Sequence, residues 1–155
     1  KKAFAHGFML EYFYVAIIDN EIAGIIACMG KGQFCFKIKI KTLIKHLGVF
    51  KGLFANFEFN QFKKASPKID KNTAIIEYVA TSEKHLRKGV ASALVKYLFT
   101  LPEYESYVVE VDVTNTKAVD LYKKLGFRAV YMKIYVEATY FSMKYTKKQN
   151  NEISG

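Results

Sequence analysis

The chain has no tryptophan and only two cysteines, two prolines and three histidines in 155 residues. Cys28 and Cys35 do not form a CxxC pair, and His6, His46 and His85 stand far apart. Neither a disulfide framework nor a metal centre is therefore expected. The two thiols read as buried and reduced, which suits a cytoplasmic protein. No stretch reaches ~18 uninterrupted apolar residues, the length of a membrane-spanning helix, and no signal peptide is visible. The nearest apolar run, YVAIIDNEIAGIIACMG, is broken by Asp19-Asn20-Glu21, which reads as a hairpin turn. Arginine is scarce as well: Arg87 and Arg128 stand against 22 lysines. Base reading usually relies on arginine, so sequence-specific nucleic-acid binding is not expected.

Apolar residues make up 51% of the chain and aromatics 15%, enough for a packed core. The net charge of +10 is unevenly placed. Residues 31–68 hold nine lysines and one acid, Glu58, so that segment carries +8 and the remainder only +2. The basicity belongs to one stretch and says little about the whole molecule.

Residues 12–18 and 22–28 read as a hairpin, and residues 1–10 as the tail of a helix. Between 34 and 64 two patterns compete. FCFKIKIK alternates like a strand, yet Phe36, Ile40, Leu43, Leu47, Phe50, Phe54 and Phe57 step by fours and threes along one helical face. One or two amphipathic helices are expected, breaking at Gly48 or Gly52. Their apolar face is expected to lie on the domain with its lysines in water; contact with a membrane surface or partner through 34–64 is the less favoured reading. A polar loop at 65–72 then leads into a strand at 73–81. A helix is expected through about Phe99, closed before Pro102, then a strand at 106–113 and a helix from Asn115 to Leu125, with Asn115 as N-cap and Gly126 at its end. Two strands in 127–136 and 138–146 complete the chain. The order β-β-insertion-β-α-β-α-β-β predicts a single α/β (α+β) domain over 1–155 with a mixed, mostly antiparallel sheet flanked by helices.

Two βα units carry the chemistry. In HLRKGVASAL a helix begins among small residues, Gly89, Ala91 and Ser92. Free backbone N–H groups, the helix dipole, Arg87 and Lys88 would suit a pyrophosphate, or else mark an ordinary helix start. Neither GxxxxGK[ST] nor GxGxxG is present. In the second unit Ala118, Leu121, Tyr122 and Leu125 share a helical face, and Tyr122 alone would read as a core tyrosine.

N-x-x-A-x-x-L-Y-x-x-x-G-F, filled by Asn115, Ala118, Leu121, Tyr122, Gly126 and Phe127, resembles the second conserved motif of the GNAT acyl-CoA N-acyltransferases. That family's (Q/R)-x-x-G-x-(G/A) element is similar to residues 86–91, with Gly89 and Ala91 in the small positions. Leu86 stands where Gln or Arg is usual, and Arg87 follows one place later. The resemblance spans roughly residues 12–145. It implies a sheet splayed between the strands at 73–81 and 106–113, with acetyl-CoA as co-substrate in the gap. Backbone groups of Val79 and Thr81 would pair with the pantetheine. The pyrophosphate would lie on Arg87, Lys88, Gly89, Val90, Ala91 and Ser92, chiefly their amides, and Asn115 would help to hold the pantetheine arm. The family's first strand and helix would precede Lys1.

The implied reaction is acetyl transfer to a primary amine by direct attack in a ternary complex. An amine of pKa ~10.4 is about one part in a thousand neutral at pH 7, so a base is needed. Glu77 is the candidate base and Tyr122 the candidate acid for the departing thiolate. His85 is expected to be a surface residue or to lie near the nucleotide. The acceptor, a small molecule or peptide amine, is not legible in these motifs. A non-catalytic acyl-CoA-binding module, a docking protein using the basic insertion, and a homodimer remain open alternatives.

Overall fold

The computed structural model describes residues 7–37, 39–51, 53–57, 68–135 and 138–148. Strands β1 (Phe13–Ile18) and β2 (Glu21–Met29) meet at Asp19-Asn20, whose φ values are 50° and 62°. Two successive left-handed residues make the mirror-image turn whose twist matches paired strands, and Asp and Asn tolerate that conformation. Ahead of β1 runs a short 3-10 turn, Leu10–Tyr12, where the sequence suggested a helix tail; residues 1–6 of that expectation lie outside the described residues.

After β2 the basic segment forms α1 (Ile40–Leu47), which stops at Gly48 with φ 80°, and helical residues continue at 49–51 and 53–57. The helical period thus prevails only from Ile40 onward; residues 34–37 of FCFKIKIK are not helical, and Phe36 makes an isolated bridge to Phe8 instead of joining the helical face. Gly48 is the break foreseen; Gly52 and residues 58–64 lie outside the described residues. The orientation differs from expectation. Leu43 is buried, but Phe50, Phe54 and Phe57 face solvent.

The remaining elements follow the predicted order: β3 (Thr73–Thr81), α2 (Val90–Leu98), β4 (Ser106–Asp112), α3 (Thr116–Lys124), β5 (Arg128–Ile134) and β6 (Thr139–Thr146). The six strands form one sheet in the order β1-β2-β3-β4-β6-β5. Within it β3 and β4 run parallel, while the other neighbouring pairs are antiparallel.

Alternation along the strands divides the core between two faces. On one face Ile26, Ala74, Ile76, Tyr107, Val109 and Val111 pack against α2 and α3. Burying each Val or Leu of those helices contributes roughly 1.5–3 kcal/mol. Gly24 lets α2 sit close: a Cβ there would lie 2.7 Å from Val90 Cγ1 and 2.9 Å from the Ala80 carbonyl oxygen. On the other face a smaller cluster gathers Ala27, Met29, Cys35 and Ile75.

Candidate active site

The parallel pair is incomplete. β3 and β4 pair from Thr73–Ser106 to Ile76–Val109 and then separate. Beyond that point β3 stays with β2, Thr81 opposite Gly24, while β4 stays with β6, Glu110 opposite Ser142. The parting coincides with a bulge, where Tyr78 and Val79 together face Ile26 and Tyr78 takes φ 53°. A bulge bends its strand and ends regular pairing. The left-handed tyrosine costs about 1–3 kcal/mol, and the strand and ring contacts around it must hold it there. The Phe8 and Phe13 rings pack on Tyr78 at 6.1 and 5.9 Å between centroids. Val79 and Thr81 therefore lie on an edge of β3 that β4 does not cover, and a strand edge of that kind can pair with an extended ligand.

The end of β3 leads through a 3-10 turn at Glu83–His85 to α2. Arg87 has φ 61° and Gly89, the N-cap, has φ 80°. Left-handed residues in such a turn point successive N–H groups into one concavity, which favours an anion. No side chain caps α2, and its first in-helix bond runs from Ala93 N to Gly89 O. The amides of Val90, Ala91 and Ser92 precede that bond and have no partner within the helix. A Cβ on Gly89 would meet nothing within 4 Å, so the loop is open above it. Arg87 and Lys88 are exposed. His85 is buried and so is not a surface residue, one of its two expected readings; its Nδ1 lies 2.9 Å from Ser82 Oγ, which braces the turn.

Asn115 caps α3, its Oδ1 accepting from Ala118 N at 3.2 Å. Its side-chain amide N–H groups remain for other partners. Tyr122 is buried on the inner face of α3, edge-on to Phe127 at 5.3 Å. Burial pushes its hydroxyl up to about 12.

Glu77 lies at the bulge, on the sheet face opposite Tyr122. Burial raises its pKa; a hydrogen bond from the Cys35 thiol, 3.6 Å from Oε2, acts the other way, and the negative charge of Glu110 raises it further. Cys35 is itself pushed up to about 12 by its burial and by Glu77. Glu110 points to the same face as Glu77, because its neighbours Val109 and Val111 belong to the helix-side core. It forms an ion pair with Lys133 of β5. Beside it, among Thr73, Val108, Ser142 and Lys144, is a cavity of about 140 Å³.

The splay thus has a left-handed loop with unpartnered helix-start amides and a buried phenol towards the helices, and two carboxylates on the far face. Glu77 and Tyr122 are the residues the sequence singles out; that Glu110, Lys133 and Cys35 surround the Glu77 side of the sheet is not evident from it. The available signal was the pair of acids in SYVVEVDV, Glu110 and Asp112, each between valines. Among the described residues, no group of three His, Cys, Asp or Glu is placed to hold a metal.

A family model described as the acetyltransferase (GNAT) family matches residues 4–127. The chain belongs to the GNAT acetyltransferase family. This GNAT chain is 28% identical over 122 residues to an N-alpha-acetyltransferase of Sulfurisphaera tokodaii, covering 76% of its own length and 57% of the relative's. Its fold matches Ard1 from Thermoplasma volcanium with a TM-score of 0.60 at 20% identity, over 91% of this chain and 74% of that one. A GNAT family acetyltransferase from Elizabethkingia anophelis, solved with acetyl-CoA bound, matches with a TM-score of 0.56 at 16% identity, over 88% and 79%. The open β3 edge, the left-handed loop before α2 and the cap of α3 are where the GNAT resemblance expects its cofactor residues.

Proposed function

We propose that this protein transfers the acetyl group of acetyl-CoA to a primary amine, with the α-amine of a peptide as the leading acceptor class. The observation that carries the reading is the half-paired β3 and β4, with an uncovered strand edge between the left-handed loop before α2 and the half-buried carboxylate of Glu77. The relationship to an N-alpha-acetyltransferase supports the acceptor class. Two free, buried cysteines suit a reducing compartment, and we place the protein in the cytoplasm.

Acetyl-CoA supplies a thioester whose acetyl carbon is open to attack. Val79 and Thr81 hold its extended arm through their backbone groups, Asn115 steadies that arm, and the amides of Arg87 and of Gly89 to Ser92 receive the pyrophosphate, that of Lys88 donating to the His85 carbonyl. An α-ammonium of pKa ~8 is about one-tenth neutral at pH 7, far more than a lysine side chain, yet it must still lose a proton. Glu77 takes that proton, directly or through one water. Glu110 keeps the basicity of Glu77 high, and the two carboxylates attract the incoming cation. The neutral amine then attacks the acetyl carbon to form the carbon–nitrogen bond, the carbon–sulfur bond breaks with its electron pair leaving on CoA as the thiolate, and the nitrogen releases its second proton to solvent as the amide forms.

Tyr122 donates a hydrogen bond to the departing sulfur. A phenol near 12 stands ~3 units above an ordinary thiol, so complete proton transfer to the thiolate is uphill, and the hydroxyl stabilises charge more than it neutralises it. Tyr122→Phe should lower kcat by about 10- to 100-fold with little change in acetyl-CoA affinity. The deciding experiment measures CoA release with short peptides, with and without a free N-terminus. Acetyl-CoA binding without turnover on any amine would leave only a binding module.

A further inference from the structure

The basic segment shows its apolar side to water. α1 buries Leu43 and exposes Lys41, Lys45 and His46. In the helical residues 49–51 and 53–57 the half-buried positions are Ala55 and Asn56, while Val49, Phe50, Leu53, Phe54 and Phe57 are exposed. Phe50 is 89% exposed, Phe54 66% and Phe57 56%. Steps of four and three place these rings on one side of a helix. Packing on the domain does not account for them.

Charge identifies the occupant. Each charged residue from 31 to 57 is a lysine: 31, 37, 39, 41, 45 and 51, all exposed. A protein-binding core is usually poor in lysine and enriched in arginine, and base reading also relies on arginine. Phenylalanine rings surrounded by lysines are instead the composition of a helix that lies in a lipid interface, with rings at the headgroup–acyl boundary and ammonium groups among anionic headgroups. We propose that residues 31–57 form a reversible docking surface for anionic lipid membranes. The proposal does not depend on the acetyl-transfer reading. The same segment carries Cys35 against Glu77, so docking would bring the carboxylate side of the splay close to the lipid surface.

The test is co-sedimentation of the full chain with vesicles of phosphatidylcholine, with and without phosphatidylglycerol. Binding to the anionic vesicles, little binding to the neutral ones, and weakening as sodium chloride is raised several-fold are expected. Phe50→Ser combined with Phe54→Ser should lower the partition coefficient by about tenfold or more, with the thermal midpoint and CoA binding unchanged. Should that variant fail to fold, Lys41→Glu with Lys45→Glu and Lys51→Glu tests the same surface by charge alone and should abolish binding to anionic vesicles. Absence of wild-type binding to anionic vesicles overturns the proposal, as does wild-type binding by the folded variants. Self-association that these substitutions remove, without vesicle binding, assigns the face to a second copy and also overturns it.

Discussion

At the scale of single residues, the basicity of Glu77 rests on its surroundings. Burial is the larger cause and the charge of Glu110 the smaller. Glu77→Gln should lower kcat by about 10²- to 10⁴-fold and abolish the acidic limb of the pH–rate profile. Glu110→Gln removes a like charge, so Glu77 should ionise more readily and the limb should move to lower pH. A limb that stays in place would separate the two carboxylates. The same shift has a stability consequence whose sign is fixed. A carboxyl with a raised folded-state pKa contributes stability that is fully present below its unfolded value of ~4.3 and lost as pH rises through the folded value. Glu77→Gln should therefore raise the thermal midpoint at neutral pH, and the gain should vanish in acid; scans across pH will show it. The sequence singles out Glu77 and Tyr122 as candidates because the motifs around them resemble a family with chemistry there. It does not single out Glu110, because alternation along one strand gives a face but does not reveal which neighbour that strand loses.

At the scale of elements, the segment from β3 to the start of β5 follows its sequence closely. Each piece there has one dominant period and a clear boundary residue, such as Asn115 before α3 and Gly126, with φ 92°, after it. The helical spacing holds for residues 40–47, 49–51 and 53–57 but not for 34–37, and its apolar face is turned the other way. Spacing defines an apolar face without saying whether the fold offers a surface to cover it. The loop before α2 yields a ranked expectation. With φ 80° at Gly89, any replacement strains the backbone by about 1 kcal/mol even though the space above it is open. Gly89→Val should weaken CoA binding more than Lys88→Ala, as titration calorimetry would show, because amide positions matter more than one exposed ammonium. Gly24 tests the helix–sheet contact in the same element. A methyl group there meets Val90 and the Ala80 carbonyl, so Gly24→Ala should destabilise the fold by about 1–3 kcal/mol, measured by denaturant titration.

At the scale of the whole molecule, the sheet is left unfinished at its centre, between β3 and β4, where a bulge and a strained tyrosine stop the pairing. A ligand that completes it should bind the folded chain alone and stabilise it. CoA at about 100 times its Kd should add roughly 2.7 kcal/mol, seen as a rise in thermal midpoint. The element order made a mixed sheet legible, and the family resemblance supplied the splay; hydropathy could not, since β3 and β4 are apolar whether or not they pair throughout. The splay also has two sides. The left-handed loop before α2 and Tyr122 belong to the helix side, and Glu77 with Glu110 to the other. On the proposed reaction the two substrates would enter from opposite directions, as through two mouths, with neither blocking the other. Inhibitors shaped like one substrate should be competitive against it and noncompetitive against its partner. A single molecule joining CoA to the acceptor through the amine nitrogen would thread the sheet and hold both mouths at once, binding more tightly than either half.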